Sequence, residues 1–307
     1  MEVVPSRKVH LVYKENMQVL EDYIQSLGFF DSILELDRDF SVDEFLTSDD
    51  IYVFTQMWLH IDSFPKIISS SPRFIFLNVE NLTEQHRWDH LFCLLQNNIR
   101  VADYSHANIR IIETLLDNPN NKHIQYTHTP ILLPYQFNHV ENLVLKNNDN
   151  VYEYDVGIVN ACPKKDDSVS SHLTYKRTRI WKQMVESGWN CLNILGWGKE
   201  RDELIRKCKV IVNVHHFECY TIFQHIRCDR MLFADKLVVS EYSLCADELD
   251  IKNMVIWSDY SDLLTITQKI LDNFSSIHQR FSSLDKNTLI QKRRSDIALA
   301  IQLIQNI

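Results

Sequence analysis

Short apolar, β-branched segments alternate with amphipathic stretches along most of this chain, and that alternation constrains the fold more than any other feature. Val9–Tyr13, Ile33–Leu36, Ile51–Thr55, Phe74–Leu77, Ile99–Ala102 and Ile131–Leu133 read as strands. Between them, Met17–Leu27 carries apolar residues at helical spacing, and Asn81–Glu84 opens a helix with Trp88, Leu91, Phe92 and Leu95 on one face. Ser105 can cap the next helix, whose face is Ile109, Ile112 and Leu115. Residues 145–154 are polar and interrupt the pattern, which then restarts. Val156–Val159, Leu192–Leu195, Val210–Val214, Leu237–Ser240 and Met254–Trp257 read as strands. Tyr175–Glu186, Lys199–Cys208 and Thr221–Phe233 read as helices, and the last helix has Ile297, Ala300, Ile301 and Ile304 on one face.

Strands buried by helices on both faces make parallel sheets. The expected fold class is therefore α/β, with two doubly wound Rossmann-like domains facing a cleft. The expected division is 1–148 and 149–307, with the C-terminal helix in the second domain. A chain of 307 residues is long enough for two such domains. Ligands of these folds bind beyond the carboxyl ends of the strands.

Composition removes several classes of function. There are 5 glycines, only Gly28 lies in the first half, and neither G-x-G-x-x-G nor a P-loop occurs. A nucleotide-sugar epimerase or other sugar-phosphate enzyme is disfavoured accordingly, since the NAD fingerprint is absent. The net charge of −9 argues against a nucleic-acid partner, whose phosphates call for a basic surface. No apolar run is long enough for a transmembrane helix or a signal peptide, so a cytoplasmic protein is expected. The 7 scattered cysteines read as reduced thiols.

Chemistry concentrates in the second half. Asn213-Val214-His215-His216-Phe217-Glu218-Cys219-Tyr220 follows a strand, and a helix is expected from about Thr221, with Gln224 and Arg227 one turn apart. A helix start offers N–H groups and a positive dipole end to phosphate. Val238-Val239-Ser240-Glu241 is a strand whose exit carries a carboxylate. Leu195-Gly196-Trp197-Gly198 is a corner where an aromatic can meet a base, and Lys176-Arg177-Thr178-Arg179 is a basic cluster at a helix front.

This arrangement resembles the C-terminal half of GT-B glycosyltransferases, where a strand ending near Asn-x-His, a helix and a Val-Val-Ser-Glu strand follow one another. Phe54-Thr55-Gln56-Met57, residues 76–83 and residues 101–109 look like the acceptor-side half of such enzymes from polysaccharide pathways, including those of large DNA viruses. The resemblance implies metal-independent glycosyl transfer from a nucleotide-diphosphate sugar to a glycan or other hydroxyl acceptor, with no further cofactor, in the host cytoplasm if the chain is viral. It implies donor-binding roles for Arg177, Arg179, Gly196, Trp197, Asn213, His215, Thr221, Gln224, Arg227 and Glu241. The two glutamates of retaining members are replaced here by His216 and Gln224. Glu80 and Asp103, at strand exits, are candidate catalytic bases for an inverting reaction.

Three other readings stay open. The missing glutamates suit a non-catalytic binding or assembly protein on the same fold. Asp37-Arg38-Asp39 suits a metal-dependent GT-A enzyme, since Mn²⁺ and Mg²⁺ prefer oxygen ligands. His215, His216, Cys219, His225 and Cys228 are dense enough for zinc but lack a Cys-x-x-Cys pair.

Overall fold

The structure is a computed structural model. It describes residues 7–14, 28–36, 49–55, 73–79, 81–83, 88–135, 152–159, 176–196, 198–215 and 221–306. The chain divides into two compact units, Met1–Gln136 with Ile290–Ile307, and Phe137–Leu289.

The first unit holds a six-stranded parallel sheet. Its strands are β1 (Val9–Lys14), β2 (Ser32–Leu36), β3 (Ile51–Thr55), β4 (Phe74–Asn78), β5 (Arg100–Asp103) and β6 (Ile131–Leu132), in the order β2-β1-β3-β4-β5-β6. Every residue of β3 and β4 is buried, as central strands covered on both faces require. Tyr52, Phe54, Phe74 and Phe76 share one face by the two-residue period, and α1 (Trp88–Gln96) and α2 (His106–Asp117) add Leu91, Leu94, Leu95, Ile112 and Leu115 to that core. The helix expected at Met17–Leu27 and the pair Asp37 and Asp39 lie outside the described residues.

The second unit repeats the plan. Its strands β7 (Tyr154–Val159), β8 (Cys191–Ile194), β9 (Cys208–Asn213), β10 (Leu237–Glu241) and β11 (Ile256–Ser258) are parallel, in the order β11-β10-β9-β7-β8. The helices are α3 (Lys176–Glu186), α4 (Gly198–Arg206), α5 (His225–Phe233), α6 (Leu263–Asp272) and α7 (Phe274–Ser282). In each unit the first strand lies between its second and third. The strand order therefore reverses there, β1 against β3 and β7 against β9. Such a reversal opens a crevice at the carboxyl ends of the two strands.

Gly157 shows how tightly the second sheet is covered. A Cβ there would lie 2.7 Å from the Cys208 sulfur, 2.8 Å from Ile194 Cδ1 and 2.9 Å from Ile211 Cδ1. All three neighbours are held in the sheet, so a methyl group must displace packed atoms. Gly157→Ala is expected to cost about 1–3 kcal/mol, the scale of an overpacked core, read as a lower urea midpoint with unchanged slope.

The division differs from the expected one at the C-terminus. Helix α8 (Lys286–Gln305) was expected with the second domain, but from Ile290 onward it groups with the first unit. Ile290, Ile297, Ala300 and Ile304 are buried, and the buried Arg293 guanidinium donates to the Tyr135 carbonyl at 2.9 Å. The 3.6-residue period identifies the apolar stripe but not the surface that covers it. The residues of the expected linker before Tyr152 lie outside the described set.

Candidate functional site

Side chains from four segments converge at the carboxyl edge of the second sheet. Helix α3 begins with Lys176 and Arg177, both buried despite their charge. Arg177 Nε donates to the Val214 carbonyl at 2.7 Å, just past β9, and its Nη2 donates to Gln224 Oε1 at 3.2 Å. Lys176 Nζ pairs with Glu241 Oε1 at the end of β10 and lies 4.7 Å from the centre of the Tyr260 ring. The other Glu241 oxygen accepts the His215 backbone N–H at 3.1 Å. The start of α3, the exit of β9, the start of α5 and the exit of β10 are thus tied together beside the β7/β9 reversal.

His215 is 2% exposed. Its Nε2 lies 3.3 Å from the Tyr242 carbonyl and 3.2 Å from Ser243 Oγ. A carbonyl can only accept, so the proton sits on Nε2 and Nδ1 keeps its lone pair. Burial pushes the imidazole pKa down to about 4; the bond to Tyr242 opposes this, and the charges of Lys176, Arg177 and Arg227 lower it further. His215 is therefore neutral at physiological pH. Beside it, Asn213 donates to Ser240 Oγ at 3.0 Å, while its buried Oδ1 has no partner among the described residues.

Several expected residues stand differently. The helix expected from Thr221 begins at His225, so Gln224 is its N-cap residue rather than part of its body. Ile222 and Phe223 are each 1% exposed. These core residues prolong the apolar period beyond the hydrogen-bonded helix. Thr221 instead accepts the Leu244 N–H through its carbonyl, at 2.6 Å. Arg227 stays on the first turn of α5, half-buried. Arg179 is exposed and stacks against Tyr260 at 5.7 Å, away from the Arg177 contacts. Gly196 is exposed with φ +88, a conformation that favours glycine in the turn before α4. Trp197, Glu80, His216, Glu218 and Cys219 lie outside the described residues.

Asp103 does not have the surroundings expected of a base. It is fully buried, and its carboxylate accepts from Asn78 Nδ2 at 2.6 Å, from the Ser105 N–H at 2.8 Å and from Asn108 Nδ2 at 3.1 Å. Asn108 in turn accepts the Leu82 N–H at 3.1 Å. The carboxyl group ties the exits of β4 and β5 to the first turn of α2. Ser105 precedes α2 as expected, but its hydroxyl makes no capping bond.

Of the residues considered for zinc, His216 and Cys219 lie outside the described residues, and His225 and Cys228 stand in other surroundings. His225 Nδ1 lies 3.0 Å from both Asp229 oxygens, and burial pushes the Cys228 thiol up to about 12. Among the described residues no group of three or more His, Cys, Asp or Glu side chains could hold a metal ion. No helix among them is long and apolar enough to cross a membrane.

No family model matches the chain. It is similar to uncharacterized proteins of Acanthamoeba polyphaga mimivirus. One is 28% identical over 285 residues, covering 89% of this chain and 35% of the relative. A second is 31% identical over 204 residues, covering 65% and 59%. A third is 28% identical over 277 residues, covering 84% and 28%. The chain thus spans between about a quarter and three fifths of these relatives' lengths. Among solved structures it is similar to the glycotransferase of kitacinnamycin, at 9% identity and a TM-score of 0.39, covering 97% of this chain and 96% of that one. The two parallel sheets stand on their own pairing and are consistent with Rossmann-like domains.

Proposed function

We propose that the chain is a GT-B glycosyltransferase that holds a nucleotide-diphosphate sugar in its second unit and a hydroxyl acceptor in its first. The observation that carries this reading is the placing of Arg177. Its guanidinium is fixed on Val214 and Gln224, beside the sheet reversal and the start of α5. A preorganised cation beside a helix N-terminus suits the charge that develops on a leaving diphosphate, with no bound metal required. Neutral His215 adds an acceptor at Nδ1 without adding to that charge, and the Asn213 oxygen, without a partner among the described residues, suits a ligand N–H or O–H. Of the two candidate bases, Glu80 is the one this reading retains, because both Asp103 oxygens are committed.

The test is a panel of nucleotide sugars scored for released nucleoside diphosphate, with binding followed by calorimetry. Release by the parent, persisting in EDTA, is the expected result. Gln224→Ala should weaken nucleotide binding by about 1–2 kcal/mol, one neutral hydrogen bond with its orphaned partner. Arg177→Ala should weaken it by at least as much, since charge-assisted bonds are roughly twice as strong. If neither variant changes affinity, the donor lies elsewhere. If the parent binds and turns over no nucleotide sugar, the reading is wrong.

A further inference from the structure

β10 ends in Glu241, whose carboxylate belongs to the site, and the next residue is an aromatic that faces solvent. Tyr242 is 46% exposed. It is held on several sides. Its N–H donates to the Ser258 carbonyl at 2.9 Å, and its own carbonyl lies against His215 Nε2. Its hydroxyl donates to Asp247 at 3.0 Å. Its ring lies 5.8 Å from that of Trp257, which meets the buried Phe223 edge-on at 5.3 Å. Trp257 is fixed in turn by donating to the Lys252 carbonyl at 3.1 Å. Next to it, the 43% exposed Leu244 is pinned by its N–H to Thr221, in the segment that leads into α5. A large ring left open to water yet locked in orientation loses little entropy when a flat partner lies on it.

The neighbouring charge narrows the partner. Asp247 and Asp259 are both exposed and near enough to hold the Tyr242 hydroxyl above its ordinary pKa. The bond to Asp247 contributes most, then burial, then the charges of Asp247 and Asp259. Two carboxylates repel phosphate but accept from ring N–H and amino groups on the edge of a heterocycle. The cations that suit phosphate hold the neighbouring groups, Lys176 pairing with Glu241 and Arg177 donating to the Val214 carbonyl. Apolar face, acceptors and cations thus occur on linked neighbouring groups, as a nucleotide joins its base to its phosphates.

We infer that Tyr242, backed by Trp257 and bordered by Asp247 and Asp259, is the stacking platform for the base of the donor nucleotide. The inference rests on the nucleotide-sugar reading above. Stacking alone tolerates any base, so choice among bases falls to the two carboxylates.

The test is calorimetry on the full chain. The probes are inorganic pyrophosphate, whichever of UDP, GDP, ADP and CDP the parent binds best, and the matching nucleotide sugar. Tyr242→Ala should weaken the nucleoside diphosphate about tenfold, the scale of one lost base–aromatic stack, and leave pyrophosphate unchanged. Tyr242→Phe and Tyr242→Trp keep a ring and should stay within about threefold of the parent, a small fraction of the stack. Equal affinity of parent and Tyr242→Ala for the diphosphate would overturn the inference while leaving the nucleotide reading intact. A parallel loss of pyrophosphate would overturn it too, since the ring would then only prop the loop at Glu241. A loss confined to the nucleotide sugar would assign the ring to the sugar instead. No binding of any nucleotide by the parent would overturn both readings.

Discussion

Replacing Glu241 by alanine is expected to cost about 3–5 kcal/mol of stability, the scale of breaking a buried ion pair from one side. Lys176 and Glu241 are 4% and 8% exposed, and Glu241 also accepts the His215 N–H. The alanine variant removes the carboxylate from beside a buried ammonium and deprives a buried backbone N–H of its acceptor. Glu241→Gln keeps the N–H acceptor and should fall between parent and alanine. The double variant Lys176→Met with Glu241→Gln removes the buried charge from both sides and should be more stable than Glu241→Ala alone. Urea unfolding of the four proteins measures the ordering. If the double variant were the least stable, the pair would contribute net stability beyond its mutual neutralisation.

The sheets were legible because alternation of strands and helices is a local signal that parallel burial writes into both. Ile51–Thr55 and Val210–Asn213 are nearly continuous apolar runs, and these became central strands. The site was legible only at its parts. The chain showed a basic cluster at 176–179, but not that Lys176 meets a carboxylate 65 residues later or that Arg177 rather than Arg179 turns inward. Such pairings are long-range and leave no periodic trace. Tyr242 went unremarked, although an aromatic directly after a strand exit was visible. The helix start was misplaced because Ile222 and Phe223, which pack in the core, look like the first turn of α5. Asp103 misled in a related way. A strand-exit carboxylate followed two residues later by a serine suits a base, but equally a turn in which the carboxylate accepts the serine N–H. Only the positions of Asn78 and Asn108 separate the two.

That arrangement gives Asp103 a strong pH signature. Burial pushes its pKa up to about 7, against the pull of the Asn78, Ser105, Asn108 and Tyr104 bonds, from an ordinary value of 3.8. Between these values the unfolded chain has released the proton and the folded chain has kept it. The unfolded state therefore binds fewer protons, and stability falls as pH rises. The contribution is fully present below about pH 4 and lost by about pH 7, and a shift of this size corresponds to about 4 kcal/mol. Asp103→Asn cannot titrate, so the parent should lose roughly that amount relative to this variant between pH 4 and pH 8. Other groups titrate alike in both and cancel in the difference. Asp103→Ala should be destabilised at every pH by about 3–5 kcal/mol, because two buried amide NH₂ groups and the Ser105 and Tyr104 backbone N–H groups lose their acceptor together. Urea midpoints of the three proteins across that range provide the measurement. A parent-minus-Asn difference that stays flat with pH would mean Asp103 is ionised in the fold. The donors around it would then outweigh its burial, and a carboxylate held charged by four donors would serve still less as a proton acceptor.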